Sequence, residues 1–255
     1  MNLLLLEAGE ARSEVTLDGV RGRHLLHVLH VEPGQQVRVG VVDGPRGTAT
    51  VESLAGETVT LRCAFEADAP PVPAVDLLLA LPRPKVMRRL WAQIAAMGVG
   101  QIILTNAERV ERNYFDTHVL TPECYRPLLV EGLQQARDTR LPRVSIHRQF
   151  KVFVEDELDR LFPAGLRLVG DPAATRPATS ATRECAGERV LLAVGPEGGW
   201  NAFETRLLNA RGFTPVSLGP RTLRTDTACI ALLALVHCRV ISIPPSARST
   251  RPTDR

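Results

Sequence analysis

The pattern that most constrains the fold is an alternation of short apolar runs with helical segments over residues 75–240. Residues 75–81 and 190–194 are predominantly apolar, as expected for strands that are covered on both faces. Between them, residues 83–97 repeat apolar side chains at the spacing of a helix that buries one face. The alternation predicts an α/β fold in which a mostly parallel sheet carries helices on both faces. Further strands are predicted at residues 101–104, 144–147, 166–169 and 215–218, and an apolar helix at residues 227–240.

Two more helices are predicted from their capping signals. Thr121 precedes a proline and an acid, which is typical of a helix start, and this helix should run to about Arg137. Asn201 and Glu204 have the spacing of a capping box. Gly212 then has the position of a glycine that follows a helix end.

Residues 1–68 are predicted to form a small β-barrel, separate from a large domain at residues 74–243. The first segment is rich in Val and Thr and is divided by Gly, Pro and Asp. Three prolines within residues 70–73 resist both helix and central strand, so this segment is predicted to be a linker. Residues 244–255 are polar and basic and are expected to be a disordered tail. The predicted barrel strands are residues 36–42, 47–53 and 58–65.

The formal net charge of +3 conceals an uneven distribution. Residues 1–70 contain six Arg, no Lys and ten Asp or Glu, a net charge of −4 that leaves about +7 for the remainder. A basic face on the large domain would favour a polyanionic partner. A solvated surface of mixed charge explains the charge distribution equally well.

Cysteine spacing gives no zinc or disulfide signature, whereas the spacing of three histidines could suggest a metal site. Three histidines at three-residue spacing begin at His24, and we interpret them as a basic or packed face. The N-terminal apolar run lacks a basic region before it and is short, so we expect neither a signal peptide nor a membrane span, and a cytoplasmic protein. We expect reduced thiols at Cys63, Cys124, Cys185, Cys229 and Cys238.

Two loops follow consecutive strands of the large domain and are the strongest functional signal. The first contains residues 195–199 and the second residues 218–228, and both carry glycine. In an open parallel sheet, ligands bind outside the carboxyl ends of the strands. Glycine lets a flat ligand approach the backbone closely, so the two loops together predict a shared ligand site, although a single glycine turn is more often structural. Neither loop matches a P-loop or a dinucleotide-binding fingerprint.

The two loops read Leu-Ala-Val-Gly-Pro-Glu-Gly-Gly and Leu-Gly-Pro-Arg-Thr-Leu-Arg-Thr-Asp-Thr-Ala. In composition, spacing and order they resemble the 16S ribosomal RNA uridine-N3 methyltransferase family of the SPOUT superfamily. Weaker similarity extends to residues 24–29, 85–87 and 134–142. The chain departs from the family pattern where it lacks acids at Met97 and Gln134 and has Asp226 in place of Glu. These departures indicate a divergent branch.

The resemblance implies a PUA-like RNA-binding barrel, an α/β domain with a deep trefoil knot, and a homodimer. It implies that S-adenosylmethionine is the cofactor and that 16S rRNA in the 30S subunit is the partner. The implied product is N3-methyluridine at position 1498 of that RNA. The cofactor-loop positions carried over from the family are Val194, Gly195, Pro196, Gly198, Gly199, Leu218, Gly219, Leu223, Arg224 and Thr227.

Methyl transfer to uracil N3 requires removal of a weakly acidic proton, so a cation that stabilises the developing anion would help. Arg224 is the first candidate for this role and Arg221 the second. Asp226 could orient Arg224 or accept a proton, or simply cap the following helix. Candidate RNA contacts are Arg21, Arg23, His24 and His27 in the barrel, with Arg83, Lys85, Arg137 and Arg140 in the large domain.

Two other functions fit the same residues. One is a SPOUT methyltransferase that acts on 23S rRNA or transfer RNA. The other is a non-enzymatic RNA-binding protein whose cofactor site has degenerated. The two glycine loops together with Arg224 favour an enzyme, because a protein that only binds RNA does not need a cofactor pocket.

Overall fold

The computed structural model describes residues 3–181 and 188–240, which form two β-sheets with associated helices. The predicted tail at residues 244–255 and Cys185 lie outside the described residues. The strands are β1 Leu4–Leu6, β2 Glu14–Leu17, β3 Gln36–Val41, β4 Arg46–Ala55, β5 Thr58–Phe65, β6 Val75–Ala80, β7 Gln101–Thr105, β8 Arg143–His147, β9 Leu166–Gly170, β10 Val190–Val194 and β11 Phe213–Val216.

The helices lie between these strands. They are α1 Gly19–His27, α2 Pro84–Ala96, α3 Pro122–Ala136, α4 Phe150–Val152, α5 Leu158–Leu161, α6 Ala178–Ala181, α7 Ala202–Ala210 and α8 Thr225–Val240. A π-helical turn at Phe153–Glu157 joins α4 to α5. Among the described residues, no helix combines the length and the apolar character that a membrane crossing requires.

The N-terminal sheet has the strand order β1-β3-β4-β5-β2. β1 runs parallel to β3 and the other pairs are antiparallel. Its three longest strands match the three that the sequence predicts to within about two residues. No pairing joins β1 to β2 within the described residues, so the sheet is a half-barrel and a closed barrel remains a prediction.

The sequence pattern missed β1, β2 and α1. β1 has only three residues, too few for a periodic signal. Helix α1 contains Gly22, an unfavourable residue inside a helix. Gly22 is required there because a Cβ atom at this position would lie 2.5 Å from the carbonyl oxygen of Glu57. The close contact packs α1 against the turn between β4 and β5.

The second sheet has six parallel strands in the order β11-β9-β10-β6-β7-β8. Alternate side chains of each strand point to opposite faces. Leu77 and Leu192 pack with α2 and α8 on one face, whereas Leu78 and Leu191 pack with α7 and residues 150–162 on the other. The predicted parallel sheet with helices on both faces is therefore confirmed.

Most predicted elements of this part are confirmed, with two differences. The strand expected at residues 215–218 lies at Phe213–Val216, because it begins directly after the helix-ending Gly212, whose φ is +81°. Pro215 is tolerated there because β11 is an edge strand. The helical segment from Phe150 to Leu161 was not predicted, because it is divided into three short pieces that leave no long periodic pattern.

The two sheets are held together by polar contacts as well as apolar packing. Arg126 of α3 donates two hydrogen bonds of 2.8 Å to the carboxylate of Glu7. The hydroxyl of Thr139 donates to the carbonyl oxygen of Gly44 at 2.7 Å, and the amide of Asp43 donates to the carbonyl oxygen of Thr139 at 2.8 Å. These contacts fix the N-terminal sheet against the end of α3.

The close packing of α2 against α3 can be tested by a substitution at Gly132. A Cβ atom on Gly132 would lie 2.1 Å from the carbonyl oxygen of Ala92. Gly132→Ala should therefore lower the free energy of unfolding by about 1–3 kcal/mol, although replacing a helical glycine by alanine usually stabilises by up to about 1 kcal/mol. Urea titration followed by circular dichroism measures the change.

Gly9→Ala is the matched control, because a Cβ atom there meets no atom within 4 Å. Equal stability of the two variants would contradict the close helix contact.

Candidate active site

A cavity of about 630 Å³ lies at the carboxyl ends of β9, β10 and β11. These strands are neighbours and parallel, so the loops that follow them converge on one edge of the sheet. The first two loops contribute residues 170–173 and 194–202 to its wall, and the third contributes residues 216, 218, 219, 221–223 and 225. The volume lies within the ordinary range for sites that bind small molecules or cofactors, about 300–1,000 Å³.

Eight of the ten predicted cofactor-loop residues line this cavity. Arg224 and Thr227 do not; both are exposed at the start of α8. The eight are Val194, Gly195, Pro196, Gly198, Gly199, Leu218, Gly219 and Leu223.

Glycine in the two loops has a local structural reason. Gly199 and Gly219 have φ values of +72° and +107°, which side chains other than glycine rarely adopt. A Cβ atom on Gly195 would lie 3.1 Å from the indole Nε1 of Trp200. At these three glycines the loops therefore have backbone, and no side chain, beside the cavity.

The third loop, at residues 170–173, was missed by the sequence analysis. Its amide at Asp171 donates to the carbonyl oxygen of Val216 at 2.9 Å. The carboxylate Oδ1 of Asp171 accepts from the amide of Ala173 at 2.8 Å, which leaves Oδ2 without a hydrogen bond to any described residue. The predicted strand at residues 166–169 could have indicated this loop, since it ends beside the loop after β10.

Four charged residues of both signs line the cavity. Asp171 and Glu197 are the acids, and Arg206 and Arg221 are the bases. Most of the remaining lining is apolar or backbone. Such a wall suits a ligand that combines flat apolar parts with charges of both signs.

A buried carboxylate anchors the loop after β10. Glu204 is 3% exposed, and its Oε2 accepts from the amide of Asn201 at 2.8 Å, while Asn201 Oδ1 accepts from the amide of Glu204. The predicted capping box is therefore confirmed. The other oxygen, Oε1, accepts from the amide of Glu108 at 2.7 Å. One carboxylate thus ties the loop after β10 to the loop after β7.

Two further contacts hold the same loop from outside. The guanidinium of Arg109 donates to the carbonyl oxygen of Gly198, and the amide of Arg83 donates to Glu197 Oε1 at 3.2 Å. A Cβ atom on Gly198 would lie 2.8 Å from the Cδ of Arg109. Glycine is therefore needed at residue 198 so that Arg109 can pass.

The predicted catalytic residues lie around the start of α8. Arg221 lines the cavity, and Arg224 is exposed with no ion pair to a described residue. The carboxylate of Asp226 accepts from Arg89 of α2 at 3.0 Å and from the amide of Thr227 at 2.9 Å. Sequence reasoning missed Arg89, which lies 137 residues before Asp226.

The predicted RNA contacts of the N-terminal part have partners within that part. Arg21 donates to Glu10 at 2.8 Å, and this guanidinium lowers the pKa of the Glu10 carboxyl to about 2. Arg23 pairs with Glu57 at 3.2 Å. His24 lies beside Arg21 in a groove between α1 and α3, whereas His27 is exposed.

The predicted RNA contacts of the larger part differ in their environment. Arg83 and Lys85 are exposed at the start of α2, beside the cavity. Arg137 is exposed at the end of α3, far along the chain from the loops. Arg140 donates to the carbonyl oxygens of Pro70 at 2.5 Å and Asp43 at 3.2 Å, so its guanidinium serves the contact between the two sheets.

The described residues contain no group of three or more His, Cys, Asp or Glu side chains that could hold a metal. Cys229 lies in the core of α8, where burial raises the pKa of its thiol to about 12. At neutral pH this thiol is protonated and takes no part as a nucleophile.

A parallel α/β sheet with a cavity formed by three strand-end loops defines a ligand-binding protein of the open-sheet class. Residues 69–237 match the family model described as an RNA methyltransferase domain. Over the whole chain, 30% of residues are identical to ribosomal RNA small subunit methyltransferase E of Treponema pallidum, and the match covers 99% of that protein. The chain belongs to this family of RNA methyltransferases, which confirms the resemblance noted in its loops.

Solved structures agree with this assignment. A methyltransferase of Legionella pneumophila, solved with bound S-adenosylmethionine, is 25% identical with a TM-score of 0.68, and the match covers 93% of this chain and 97% of that one. Ribosomal RNA small subunit methyltransferase E of Neisseria gonorrhoeae has the same fold, with a TM-score of 0.73, 20% identity and coverage of 93% and 97%.

The anchoring of the loop after β10 can be tested at Glu204. In Glu204→Gln, one amide hydrogen bond loses its acceptor, because the side-chain NH2 group must face a backbone N–H. We expect the free energy of unfolding to fall by about 1–3 kcal/mol, measured by urea titration. Glu108→Gln is the control, because Glu108 uses only its backbone amide in this contact; if both variants lose the same stability, the carboxylate does not anchor the loop.

Proposed function

We propose that this protein transfers the methyl group of S-adenosylmethionine to N3 of a uridine of 16S rRNA in the small ribosomal subunit, at position 1498. The observation that carries the proposal is the cavity at the ends of β9, β10 and β11, which is lined by eight of the predicted cofactor-loop residues. Support comes from the ribosomal RNA methyltransferase relatives and from the bound cofactor of the Legionella protein.

The cavity fits S-adenosylmethionine by size, charge and hydrogen-bonding capacity. The indole Nε1 of Trp200, a lining residue, is buried and has no hydrogen-bond partner among the described residues. Backbone groups near Gly199 and Gly219 can approach a flat adenine ring closely. When bound, the cofactor supplies a methyl group on a positively charged sulfur.

Asp171 is the residue to which we assign recognition of the cofactor ribose. Its Oδ1 is occupied by the Ala173 amide, which fixes the carboxylate and leaves Oδ2 able to accept. An acid at the end of a strand beside a glycine loop commonly binds ribose hydroxyls in open α/β sheets. Arg206 and Arg221 are the cavity cations available to the cofactor carboxylate.

Arg224 is the residue to which we assign stabilisation of the uracil anion. It adjoins Leu223, which lines the cavity, and no described acid pairs with its guanidinium, so it can move to an incoming base. Arg221 is the second candidate because it lies in the cavity wall. Asp226 is held by Arg89 and the Thr227 amide, and we assign to it the acceptance of the N3 proton.

We also propose the family architecture for the chain: a PUA-like barrel at residues 1–68 and a knotted methyltransferase domain at residues 74–243. The knot is supported by the path after β11, which lies at the sheet edge, since α8 returns to pack on β10 and β6. Ser217 on this path hydrogen-bonds with Arg176 and Ala178, in the connection between β9 and β10. A homodimer through α8 is supported by its partly exposed apolar side chains, Ile230 and Leu235.

The activity is tested by incubating labelled S-adenosylmethionine with 30S subunits from a strain that lacks this gene, followed by nucleoside mass spectrometry. We expect 3-methyluridine from the unaltered protein, and with Arg224→Ala a decrease of about 100-fold or more, the loss typical of removing one preorganised stabilising donor. The control is Arg12→Ala, an exposed cation of the N-terminal part.

Label on 50S subunits or transfer RNA instead of 30S subunits would overturn the substrate but keep the chemistry. No label, and no binding of the cofactor by calorimetry, would indicate a protein that only binds RNA.

The assignment of Asp171 is tested by binding rather than activity. Asp171→Asn should weaken binding of both S-adenosylhomocysteine and 5′-methylthioadenosine by about tenfold, because a charge-assisted hydrogen bond to ribose becomes a neutral one. Methylthioadenosine has the ribose but no amino-acid part. If only S-adenosylhomocysteine binds more weakly, Asp171 contacts the ammonium group instead.

A further inference from the structure

We propose that the RNA of the substrate docks on a cationic surface beside the cavity, which we name the rim, rather than on the N-terminal sheet. The rim consists of Arg83, Lys85, Arg88, Arg109 and Arg112. The inference rests on the proposed function for the nature of the partner, which is RNA. It goes beyond that function by assigning where the phosphates of the RNA bind.

Two rim residues, Arg83 and Arg109, contact a loop of the cavity wall directly. Arg109 donates to the carbonyl oxygen of Gly198, and the amide of Arg83 donates to Glu197; both acceptors lie in the loop after β10, which lines the cavity. Burial and Glu111 raise the pKa of the Tyr114 hydroxyl, and the nearby guanidinium of Arg83 opposes this rise; Tyr114 belongs to the 3-10 turn that begins at Arg112. The start of α2 and the loop after β7 therefore form one surface with the loop after β10, which we call the cofactor loop.

The side chains of the rim have no acidic partners among the described residues, although many arginines elsewhere do. In the N-terminal part, four of the six arginines form ion pairs with an acid: Arg21 with Glu10, Arg23 with Glu57, Arg46 with Asp138, and Arg62 with Glu52. All five rim side chains are exposed.

Acids near the rim already accept hydrogen bonds from other groups. Glu111 accepts from the Tyr114 hydroxyl at 2.8 Å, and Glu197 accepts from the Arg83 amide. Glu108 is exposed and is the nearest acid along the chain to Arg109. Neither hydrogen bond removes the charge of its carboxylate, so the five rim cations face the three acids Glu108, Glu111 and Glu197 and keep a net charge of +2, whereas residues 1–70 have a net charge of −4.

A phosphate backbone binds where unpaired cations can replace its counterions. On the N-terminal sheet, four of the six arginines would first have to leave an acidic partner, and the region has a net negative charge. Binding on the rim requires neither, and it brings an unstacked base to the cavity mouth, where base contacts rather than phosphate contacts confer specificity. Arginine suits this role because its planar guanidinium contacts phosphate through two hydrogen bonds.

The test compares two double variants in binding to deproteinised 16S rRNA over a series of KCl concentrations. The rim variant is Arg88→Gln with Arg112→Gln; neither residue touches the cofactor loop. The control variant is Arg12→Gln with Arg38→Gln, two exposed arginines of the N-terminal part that form no ion pair with a described acid. Arg109 is left unchanged because it also holds Gly198.

For the rim variant, we expect the slope of log affinity against log salt to become shallower by about 0.7 for each lost phosphate contact, and binding at fixed salt to weaken. The control should keep the slope of the unaltered protein, and both variants should bind S-adenosylhomocysteine normally. A shallower slope for the control only, or for neither variant, overturns the proposal. The two proposals fail in different measurements. A wrong target RNA would be seen in the methylation assay with 30S subunits, whereas a wrong docking surface would be seen in the salt dependence of binding.

Discussion

The interaction on which the rest of the structure depends is the parallel pairing of β10 with β6 and β9. All five residues of β10 are buried, because α8 covers one face and the helical segment at residues 150–162 covers the other. A strand covered in this way offers no polar group to a ligand except at its ends. The loops at its carboxyl end, joined by those after β9 and β11, are therefore where this part of the chain can perform chemistry.

A buried carboxylate lies at each end of the parallel strands, and the two have different structural roles. At the amino ends, Asp76 is fully buried beside Arg189, 2.7 Å from its guanidinium. Burial raises the pKa of the Asp76 carboxyl, although Arg189 opposes this. At the carboxyl ends, Glu204 accepts only from backbone amides. At the amino ends of the strands, the buried carboxylate forms an ion pair. At the carboxyl ends, it holds a loop in place beside the open cavity.

Features that depend on residues close together in the sequence could be predicted, whereas contacts between residues far apart in the sequence could not. The capping box of Asn201 and Glu204 and the apolar strand β10 depend on neighbours within a few residues, and they were found. The second function of Glu204, its bond to the Glu108 amide, spans 96 residues and leaves no local pattern. The same holds for Arg89 with Asp226, and for Asp171, whose loop has no glycine-rich motif and is recognised only once β9 is known to lie beside β10.

The number of arginines in this chain says little about function, whereas the contacts that each guanidinium makes say much more. Arg167 and Arg211 both donate to Asp159 and to backbone carbonyls, so they complete the polar contacts of the fold. Arg140 does the same between the two sheets. A guanidinium engaged in this way has used its donors and cannot also neutralise a phosphate without cost to the fold. An exposed guanidinium with no such contact among the described residues keeps its donors for a polyanion, and Arg88 and Arg112 of the proposed rim are of this kind.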